Sequence, residues 1–427
     1  MNLNFEILAS EAKQAFFVMA AENTENKNNA LKAIATALQS RASEIIAANK
    51  LDIDSAEKAN LAAPLLKRLK FDDSKIKEVV AGIESLIALP DPVGEVLMTT
   101  ELDSDLILRK VSCPIGVIGV IFESRPDALV QISTLCLKSG NAVLLKGGSE
   151  AVNTNRILAS IISETTDKLG IAKGWIQLLE TRSEVNAMLK MDKYIDLIIP
   201  RGSNEFVKYI MDNSSIAVLG HADGICHVYI DKDADVEMAV NIAVDSKTQY
   251  VAVCNAAETF LVHKDIALKF LPKLKTALDA KNCEIRGCDR TFQLINCKPA
   301  SDQDWATEYL DYIVSVKIVD EAYEAIDHIN QYGSGHTDAI VTKNAQTAEH
   351  FMNTVDTGDV FWNCSTRFSD GFRYGFGAEV GVSTNKIHAR GPVGLDGLMI
   401  YKYKVVGNGN IVADYASGKR KYTHKKI

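Results

Sequence analysis

Apolar side chains in the first part of the chain recur at helical spacing, as in NALKAIATALQSRASEIIAANK. This spacing predicts several helices and no strand between Phe5 and about Leu89, and Pro90 and Pro92 end the block. The next segment, EVLMTTELDSDLILRKVSC, alternates apolar and polar residues on both sides of Asp103, which predicts a β-hairpin. Because an isolated hairpin is marginally stable, we expect it to dock on another subunit or on the C-terminal strands.

After Pro114 the pattern changes to short continuous apolar runs, namely GVIGVIF, AVLLK, WIQLLE, IDLIIP and IAVLG. Amphipathic helical segments between them begin near Asp127, Glu150, Ser183 and Ser203. Continuous apolar strands are typical of a parallel sheet buried on both faces, and the β-α alternation predicts a doubly wound α/β fold. A second series, HVYI, ETFLVH, YIVSVKIV, DAIVT and DVFWN, predicts a second α/β domain, and YKYKVVGNGNIVADYASG predicts closing strands and a glycine-rich turn.

Composition narrows the classes of function. The chain has 427 residues, of which 47% are hydrophobic and 24% charged, as in a soluble globular protein of two or three domains. A net charge of -8 with interspersed signs offers no basic face, so nucleic acid is not an expected partner. The eight cysteines form no CxxC pair, and we therefore expect neither a metal site nor a disulfide framework. The N-terminal segment lacks a signal-type apolar core and no run of 18 apolar residues follows, so no membrane segment and a cytoplasmic location are expected.

Three strand-to-helix turns of the first predicted domain combine glycine, hydroxyl and charged side chains, in the segments LLKGGSEA, IIPRGSNEF and IFESRPD. Ligands of open α/β sheets bind beyond the carboxyl ends of the strands, and the free N–H groups of a helix start favour a pyrophosphate. The residues that these turns offer to a nucleotide are Lys146, Gly147, Ser149, Arg201, Gly202 and Ser203. For any single turn, helix capping remains the alternative. No GxGxxG motif opens a helix after a strand, so the ordinary dinucleotide fingerprint is absent.

The segment TQYVAVCNAAETFLVH places Cys254 between an apolar run and a patch of small residues that leads into a predicted strand. A free cysteine is more often a buried core thiol than a nucleophile. The residue types alone therefore leave both interpretations of Cys254 open.

Six long segments occur in an order that resembles the aldehyde dehydrogenase superfamily from about residue 5 to the C-terminus. They are PIGVIGVIFESRPDALVQISTLCLKSGNAVLLKGGSEA, LIIPRGSNEFVKYI, VCNAAETFLVH, YGSGHTDAIVT, NCSTRFSDGFRYGFGAEVGVST and IHARGPVGLDGL. The resemblance implies an α/β fold of the aldehyde dehydrogenase type, with a Rossmann-type cofactor domain, an α/β catalytic domain and a small β oligomerisation element that forms a homodimer or a dimer of dimers. The implied domains are an NADP(H)-binding domain (1–100 and 114–225), a catalytic domain (226–362), a return segment lining the cleft (363–399) and an oligomerisation hairpin with strands (101–113 and 400–427).

The resemblance also implies roles for individual residues. Cys254 matches the position of the nucleophile, and its backbone N–H is an expected oxyanion donor. Ser124 stands where ordinary aldehyde dehydrogenases carry an oxyanion-hole asparagine, and Arg125 beside it is the alternative donor. The implied cofactor contacts are Lys146 and Ser149 to the adenosine ribose, Gly202 and Ser203 to the pyrophosphate, and Glu308 to the nicotinamide ribose. The implied substrate-binding residues are Arg125, Arg367 and Asn255.

The stretch LGHADGICHVYI lacks the glutamate that activates water in oxidising members of the superfamily. We expect His221 and Asp223, which occupy this stretch, to fix the loop or to cap a helix. The resemblance therefore implies reduction rather than hydrolysis: L-glutamyl 5-phosphate acylates Cys254 with release of phosphate, and NADPH reduces the thioester to L-glutamate 5-semialdehyde, a step of proline biosynthesis.

Two alternative functions remain open at this point. They are a hydrolytic aldehyde dehydrogenase acting on another semialdehyde and a non-catalytic nucleotide-binding protein of the same fold. The upstream glutamate 5-kinase is a candidate partner. A kinase domain within this chain is not expected, because residues 1–100 are too few to form one.

Overall fold

The structure, a computed structural model, describes residues 3–61, 63–180, 183–221, 223–376 and 379–427. The helices are α1 (Leu3–Met19), α2 (Thr24–Ser40), α3 (Ala42–Lys58), α4 (Ala63–Leu69), α5 (Asp73–Ala88), α6 (Pro126–Ser139), α7 (Val152–Lys168), α8 (Ser183–Met188), α9 (Asn204–Asn213), α10 (Val236–Thr248), α11 (Lys264–Asp279), α12 (Asp289–Leu294), α13 (Ala322–Tyr332), α14 (Ala345–Thr354) and α15 (Val412–Ala416). The strands are β1 (Val96–Asp103), β2 (Leu106–Pro114), β3 (Val117–Phe122), β4 (Ala142–Gly147), β5 (Ile176–Leu179), β6 (Leu197–Arg201), β7 (Cys226–Ile230), β8 (Ala257–His263), β9 (Glu284–Gly287), β10 (Lys298–Pro299), β11 (Ile313–Val319), β12 (Thr337–Val341), β13 (Asp359–Trp362), β14 (Gly381–Ser383), β15 (Gly391–Val393), β16 (Met399–Val406) and β17 (Lys425–Lys426).

The chain divides into two compact units. Unit 1 comprises Met1–Leu219, Gly377–Val380 and Val393–Ile427, and unit 2 comprises Gly220–Phe376 and Gly381–Pro392. Within the described parts of the chain, none of the helices combines the length and the apolar composition needed to cross a membrane.

Unit 1 opens with the predicted helical block, α1 to α5. Two of its helices begin at side-chain caps: Asn23 accepts the N–H of Asn26, and Asp72 accepts the N–H of Lys75. Such caps satisfy N–H groups that a helix start leaves without a partner. Two later predictions for unit 1, the hairpin and the run of parallel strands, can be followed in its two sheets.

The predicted hairpin consists of β1 and β2, and it pairs with strands of the same chain. The four-stranded sheet has the order β16-β2-β1-β17, and each described pairing in it is antiparallel. The hairpin therefore docks on the C-terminal strands, which was one of the two arrangements expected.

The second sheet of unit 1 is parallel and has the order β5-β4-β3-β6. All residues of β3 and β4 are buried, as continuous apolar runs predict. The fifth run, IAVLG, was wrongly predicted to be a strand. It forms a single bridge between Val218 and Ile198, because the chain stays beside β6 only briefly before unit 2 begins at Gly220.

Unit 2 is built on a seven-stranded parallel sheet of order β10-β9-β11-β8-β7-β12-β13. Its core includes Phe260 on β8, Phe270 on α11 and Val316 on β11, all fully buried. Strands β9 and β10 were not predicted, because the short segments EIRG and KP have too few apolar residues to give a pattern. The strands β8, β7 and β12 are neighbours at the centre of this sheet, and the segments that precede them carry the residues described next.

Candidate active site

Cys254 lies in the loop between α10 and β8 of unit 2. Its thiol is free and half-buried, so it is not sealed in an apolar core. The loop approaches the segment before β7 closely: a Cβ on Gly224 would lie 2.1 Å from the carbonyl oxygen of Cys254 and 2.3 Å from its Cα. Only a glycine fits at position 224 while Cys254 keeps this place.

His336 lies directly beside the thiol. Its Nε2 is 3.1 Å from Sγ of Cys254, and its Nδ1 is 2.7 Å from Oγ1 of Thr337. The Thr337 hydroxyl is hydrogen-bonded to the Asp359 carboxylate, which accepts its proton. The hydroxyl oxygen is then left to accept Nδ1–H of His336, an arrangement that assigns the unprotonated Nε2 to the side of the thiol.

Asp359 is the buried end of this chain of groups. It also accepts hydrogen bonds from Ser369 Oγ at 2.9 Å and from the Tyr374 hydroxyl at 2.7 Å. Burial raises the pKa of Asp359, and the hydroxyl donors act in the opposite direction. The result is a linked series, Asp359–Thr337–His336–Cys254, of the kind that orients a base toward a nucleophile.

Sequence reasoning missed His336 and Asp359. The one signal for His336 is its position in YGSGHTDAIVT, after Gly335 with a positive φ of 72° and immediately before a buried strand. Its proximity to Cys254, 82 residues away, depends on the order of strands in the sheet.

His221 fixes the loop that precedes β7. Its Nδ1 is 2.9 Å from the Val382 carbonyl oxygen, and its ring meets the His336 ring edge-on with the centroids 4.8 Å apart. The next described helix, α10, begins only at Val236, so of the two expected roles the loop-fixing one fits His221.

Asn255 and Arg367, expected to bind substrate, lie in the same part of unit 2 as Cys254. Asn255 is buried and its Nδ2 donates to the Ser369 carbonyl oxygen at 2.6 Å. Nε of Arg367 donates to Gln249 Oε1 at 2.9 Å. Burial lowers the pKa of Arg367, and the charge of Cys254 opposes that shift, which shows that the guanidinium is within electrostatic reach of the sulfur.

Glu308, expected at the nicotinamide ribose, is half-buried near an internal ion pair. Lys247 Nζ lies 2.5 Å from Glu258 Oε2, and both side chains are fully buried. Burial raises the pKa of Glu258 to about 7, Lys247 opposes the shift, and the charge of Glu308 adds to it. Glu258 is thus held inside unit 2 by Lys247.

The expected oxyanion donor Ser124 is engaged within unit 1. Its backbone N–H and its hydroxyl both donate to Glu150 Oε1, at 2.5 and 2.8 Å. Ser124 has a positive φ of 45° and is buried. Arg125, the alternative donor, is the N-cap residue of α6. In this conformation the hydroxyl proton of Ser124 points at a carboxylate.

The expected cofactor residues of unit 1 follow β4 and β6, which both neighbour β3 in the parallel sheet. At the start of α9 the Ser203 N–H donates to Glu123 Oε2 at 3.2 Å, and a Cβ on Gly202 would lie 2.5 Å from the same oxygen. This helix start therefore already accommodates an anionic oxygen. After β4, the Lys146 ammonium donates to the Gly147 carbonyl oxygen.

The neighbouring glycine and serine differ in their surroundings. A Cβ on Gly147 would lie 2.1 Å from Asn155 Nδ2, so the backbone there passes too close to α7 for a side chain. Ser149 is exposed at the start of a short 3-10 helix, and Arg201 is half-buried at the end of β6. The structure thus places these expected cofactor residues on adjacent turns of one sheet.

Comparison with known proteins gives a uniform result. The model of the aldehyde dehydrogenase family matches residues 4–287 and 295–381. Gamma-glutamyl phosphate reductase of Acetivibrio thermocellus is 66% identical over 420 residues, which cover 98% of this chain and 97% of that protein. Gamma-glutamyl phosphate reductase 1 of Synechocystis is 52% identical over 418 residues, covering 98% and 96%. The crystal structure of gamma-glutamyl phosphate reductase from Thermotoga maritima matches with a TM-score of 0.94 at 40% identity, covering 95% of this chain and 99% of that one.

Proposed function

The chain belongs to the aldehyde dehydrogenase family, and we propose that within this family it reduces L-glutamyl 5-phosphate to L-glutamate 5-semialdehyde with release of phosphate, a step of proline biosynthesis. The observation that carries the proposal is the half-buried Cys254 thiol, 3.1 Å from Nε2 of His336, in a chain similar over its full length to gamma-glutamyl phosphate reductases.

The first step is acylation of the cysteine. His336 Nε2 takes the thiol proton, and the sulfur of Cys254 attacks the acyl carbon of the substrate. The carbon–oxygen bond to the phosphate breaks, and phosphate leaves with the bonding electron pair. The product is a thioester on Cys254 and a protonated His336, whose Nδ1–H is held by Thr337.

The second step is reduction of the thioester. Enzymes of the family bind NAD(P), and we propose NADPH here; when bound, it supplies the hydride. The chain would hold it through Lys146 and Ser149 at the adenosine ribose, Gly147, Arg201, Gly202 and Ser203 at the phosphates, and Glu308 at the nicotinamide ribose. The start of α9 fits this role because the Ser203 N–H already binds a carboxylate oxygen.

Collapse of the thiohemiacetal returns the sulfur to its resting state. The oxyanion reforms a carbonyl group, the carbon–sulfur bond breaks, and His336 returns its proton to Cys254. The backbone N–H of Cys254, with Ser124 or Arg125, is the proposed oxyanion donor, and Arg367, Asn255 and Arg125 are the proposed contacts of the phosphate and α-carboxylate. Buried cations and donors of this kind suit an anionic substrate.

A hydrolytic reaction fits the described site less well. The stretch in which oxidising relatives carry a water-activating glutamate holds His221 and Gly224 here, and Gly224 lies against the backbone of Cys254. The nearest carboxylate along the chain, Glu258, is buried and paired with Lys247. An acyl phosphate reductase needs no activated water, because hydride rather than hydroxide must reach the thioester.

We further propose the domain roles given by the resemblance, with residues 1–100 and 114–225 binding NADP(H), 226–362 carrying the catalytic cysteine, and 363–399 lining the cleft. The hairpin and C-terminal strands are proposed to form an oligomer. In support, β16 is an edge strand that exposes Ile400, Tyr403 and Val405. Light scattering that gives a monomeric mass would reject the oligomer.

The reaction is tested in reverse. Purified protein is supplied with glutamate semialdehyde and NADP, and reduced cofactor is followed with and without phosphate. Turnover is expected only with phosphate, and turnover that ignores phosphate would favour the hydrolytic alternative. Cys254→Ser is expected to lose at least about a thousandfold in rate, whereas Cys297→Ser, another half-buried thiol of unit 2, retains it. A fully active Cys254→Ser variant would remove the covalent step.

A further inference from the structure

Three potential metal ligands meet at the nucleophile. His221, Cys254 and His336 each offer one ligand atom, and these atoms lie within 4.8 Å of one another. Two imidazoles and a thiolate form a donor set that zinc prefers. Among the residues that the structure describes, this is the group of three or more His, Cys, Asp or Glu side chains with such geometry. The spacing of the cysteines in the sequence gave no indication of it.

Both imidazoles are already oriented by hydrogen bonds at Nδ1. His221 Nδ1 is 2.9 Å from the Val382 carbonyl oxygen, and His336 Nδ1 is 2.7 Å from the Thr337 hydroxyl. In zinc sites, a ligating histidine almost always donates its other N–H to a carbonyl, carboxylate or water, which fixes the tautomer. The same arrangement here leaves Nε2 of each ring as the ligand atom.

We propose that the resting protein binds one Zn²⁺ through His221, Cys254 and His336, and that the bound ion blocks the nucleophile. Binding forms a sulfur–zinc bond and releases the thiol proton to solvent, with no change of oxidation state. Bond lengths of about 2.0–2.3 Å in a tetrahedron put two ligand atoms roughly 3.5 Å apart, so the group must contract by about 1 Å. Three protein ligands leave the fourth position to water.

The proposed site is inhibitory and supplies no chemistry to the reaction. Zinc occupies the sulfur lone pair that attacks the acyl carbon and the His336 nitrogen that accepts the thiol proton. Only this effect on turnover rests on the proposed function; binding itself does not. A measurement on the protein without substrate therefore tests the zinc site even if the proposed reaction fails, and the reverse holds as well.

Binding is measured with Co²⁺ and Zn²⁺ on reduced, chelator-treated protein. One equivalent of Co²⁺ is expected to give a thiolate charge-transfer band that Zn²⁺ removes, with zinc affinity measured against a chromophoric chelator. Loss of an outer hydrogen bond to a ligand costs about 10–100-fold in affinity. Loss of a ligand itself, in Cys254→Ser or His221→Gln, is therefore expected to cost at least about tenfold, while Cys297→Ser binds as the parent does.

A second readout needs no variant at the cysteine. Zinc is expected to protect Cys254 of the parent protein from alkylation by iodoacetamide, with the modified residue identified by mass spectrometry, and to protect it at least about tenfold less in His221→Gln. Thermal melting of each variant shows whether it is folded. Unchanged zinc affinity in His221→Gln, a cobalt band that persists in Cys254→Ser, or alkylation unaffected by zinc would each overturn the proposal.

Discussion

The substitution Gly224→Ala tests how tightly the backbone positions the nucleophile. The added Cβ would lie 2.1 Å from the Cys254 carbonyl oxygen and 2.3 Å from its Cα, whereas non-bonded carbon contacts need about 3.5 Å. The two backbone segments must therefore separate by roughly 1 Å. Both are anchored, because Cys226 Sγ donates to the Cys254 carbonyl oxygen at 3.1 Å and the Ile225 N–H donates to Ser334 Oγ at 2.9 Å.

This displacement is expected to move the sulfur relative to His336, now 3.1 Å away. A misplacement of about 1 Å in an active site costs about 100-fold in rate, or about 2.7 kcal/mol. Overpacking adds a loss of stability of about 1–3 kcal/mol. We therefore expect Gly224→Ala to fold with a lowered melting temperature and to lose about 100-fold in kcat.

The assay is the phosphate-dependent oxidation of glutamate semialdehyde, with alkylation of Cys254 and thermal melting measured in parallel. The matched control is Gly82→Ala in α5, where a Cβ meets nothing within 4 Å. This control is expected to keep kcat and to gain about 0.5–1 kcal/mol, because alanine costs less than glycine in a helix. A Gly224→Ala protein with the kcat and melting temperature of the parent would refute the reasoning.

Three further predictions concern buried polar groups. Lys247→Met leaves Glu258 buried without its partner, so urea unfolding should show a loss of about 3–5 kcal/mol, and adding Glu258→Leu should recover much of it; an unchanged midpoint in the single variant would contradict this. Burial, with the charges of His227 and Lys317, lowers the pKa of His328 to about 2; the unfolded chain therefore takes up this proton first, and stability contributed by neutral His328 should be lost by about 1.4 kcal/mol per pH unit as the pH falls below about 6.5. His328→Phe should make that dependence shallower, and parallel pH–stability curves would reject the assignment. Ser124→Ala should lower stability by about 1–2 kcal/mol and leave kcat within about tenfold if its hydroxyl serves Glu150, whereas a loss of 100-fold or more would identify it as the oxyanion donor.

The sheet of unit 1 shows what apolar patterning can and cannot predict. Runs such as GVIGVIF and AVLLK are strands because both faces of β3 and β4 are buried, a demand that only continuous apolar sequence meets. IAVLG has the same composition, yet it forms one bridge, since the path of the chain after it is decided by unit 2 and not by its own residues. In unit 2, β9 pairs with β11 although two of its four residues are charged, because neighbouring strands supply the hydrogen bonds.

The candidate site was predictable only in part for a related reason. Cys254 could be proposed because the segment VCNAAETFLVH resembles a known family. His336 could not, because its contact with Cys254 arises from the sheet order β8-β7-β12, which brings the starts of two strands that are distant in sequence to one edge. The turn at Gly335 then directs the imidazole, and a positive φ of 72° gives no signal beyond the glycine itself.

Two buried carboxylates govern the hydroxyl groups around these proposed reaction steps, and they do so with opposite effects. Asp359 takes the Thr337 proton, so the Thr337 oxygen accepts from His336 and the unprotonated Nε2 turns to the thiol. Glu150 takes both donors of Ser124, so the hydroxyl is withheld from any other acceptor unless a buried carboxylate gives up its partners, at about 1–3 kcal/mol for each. A bound substrate must supply at least that much before Ser124 can serve its oxyanion. The backbone N–H of Cys254 carries no such cost to Glu150, and it is therefore the donor on which the proposed mechanism chiefly depends.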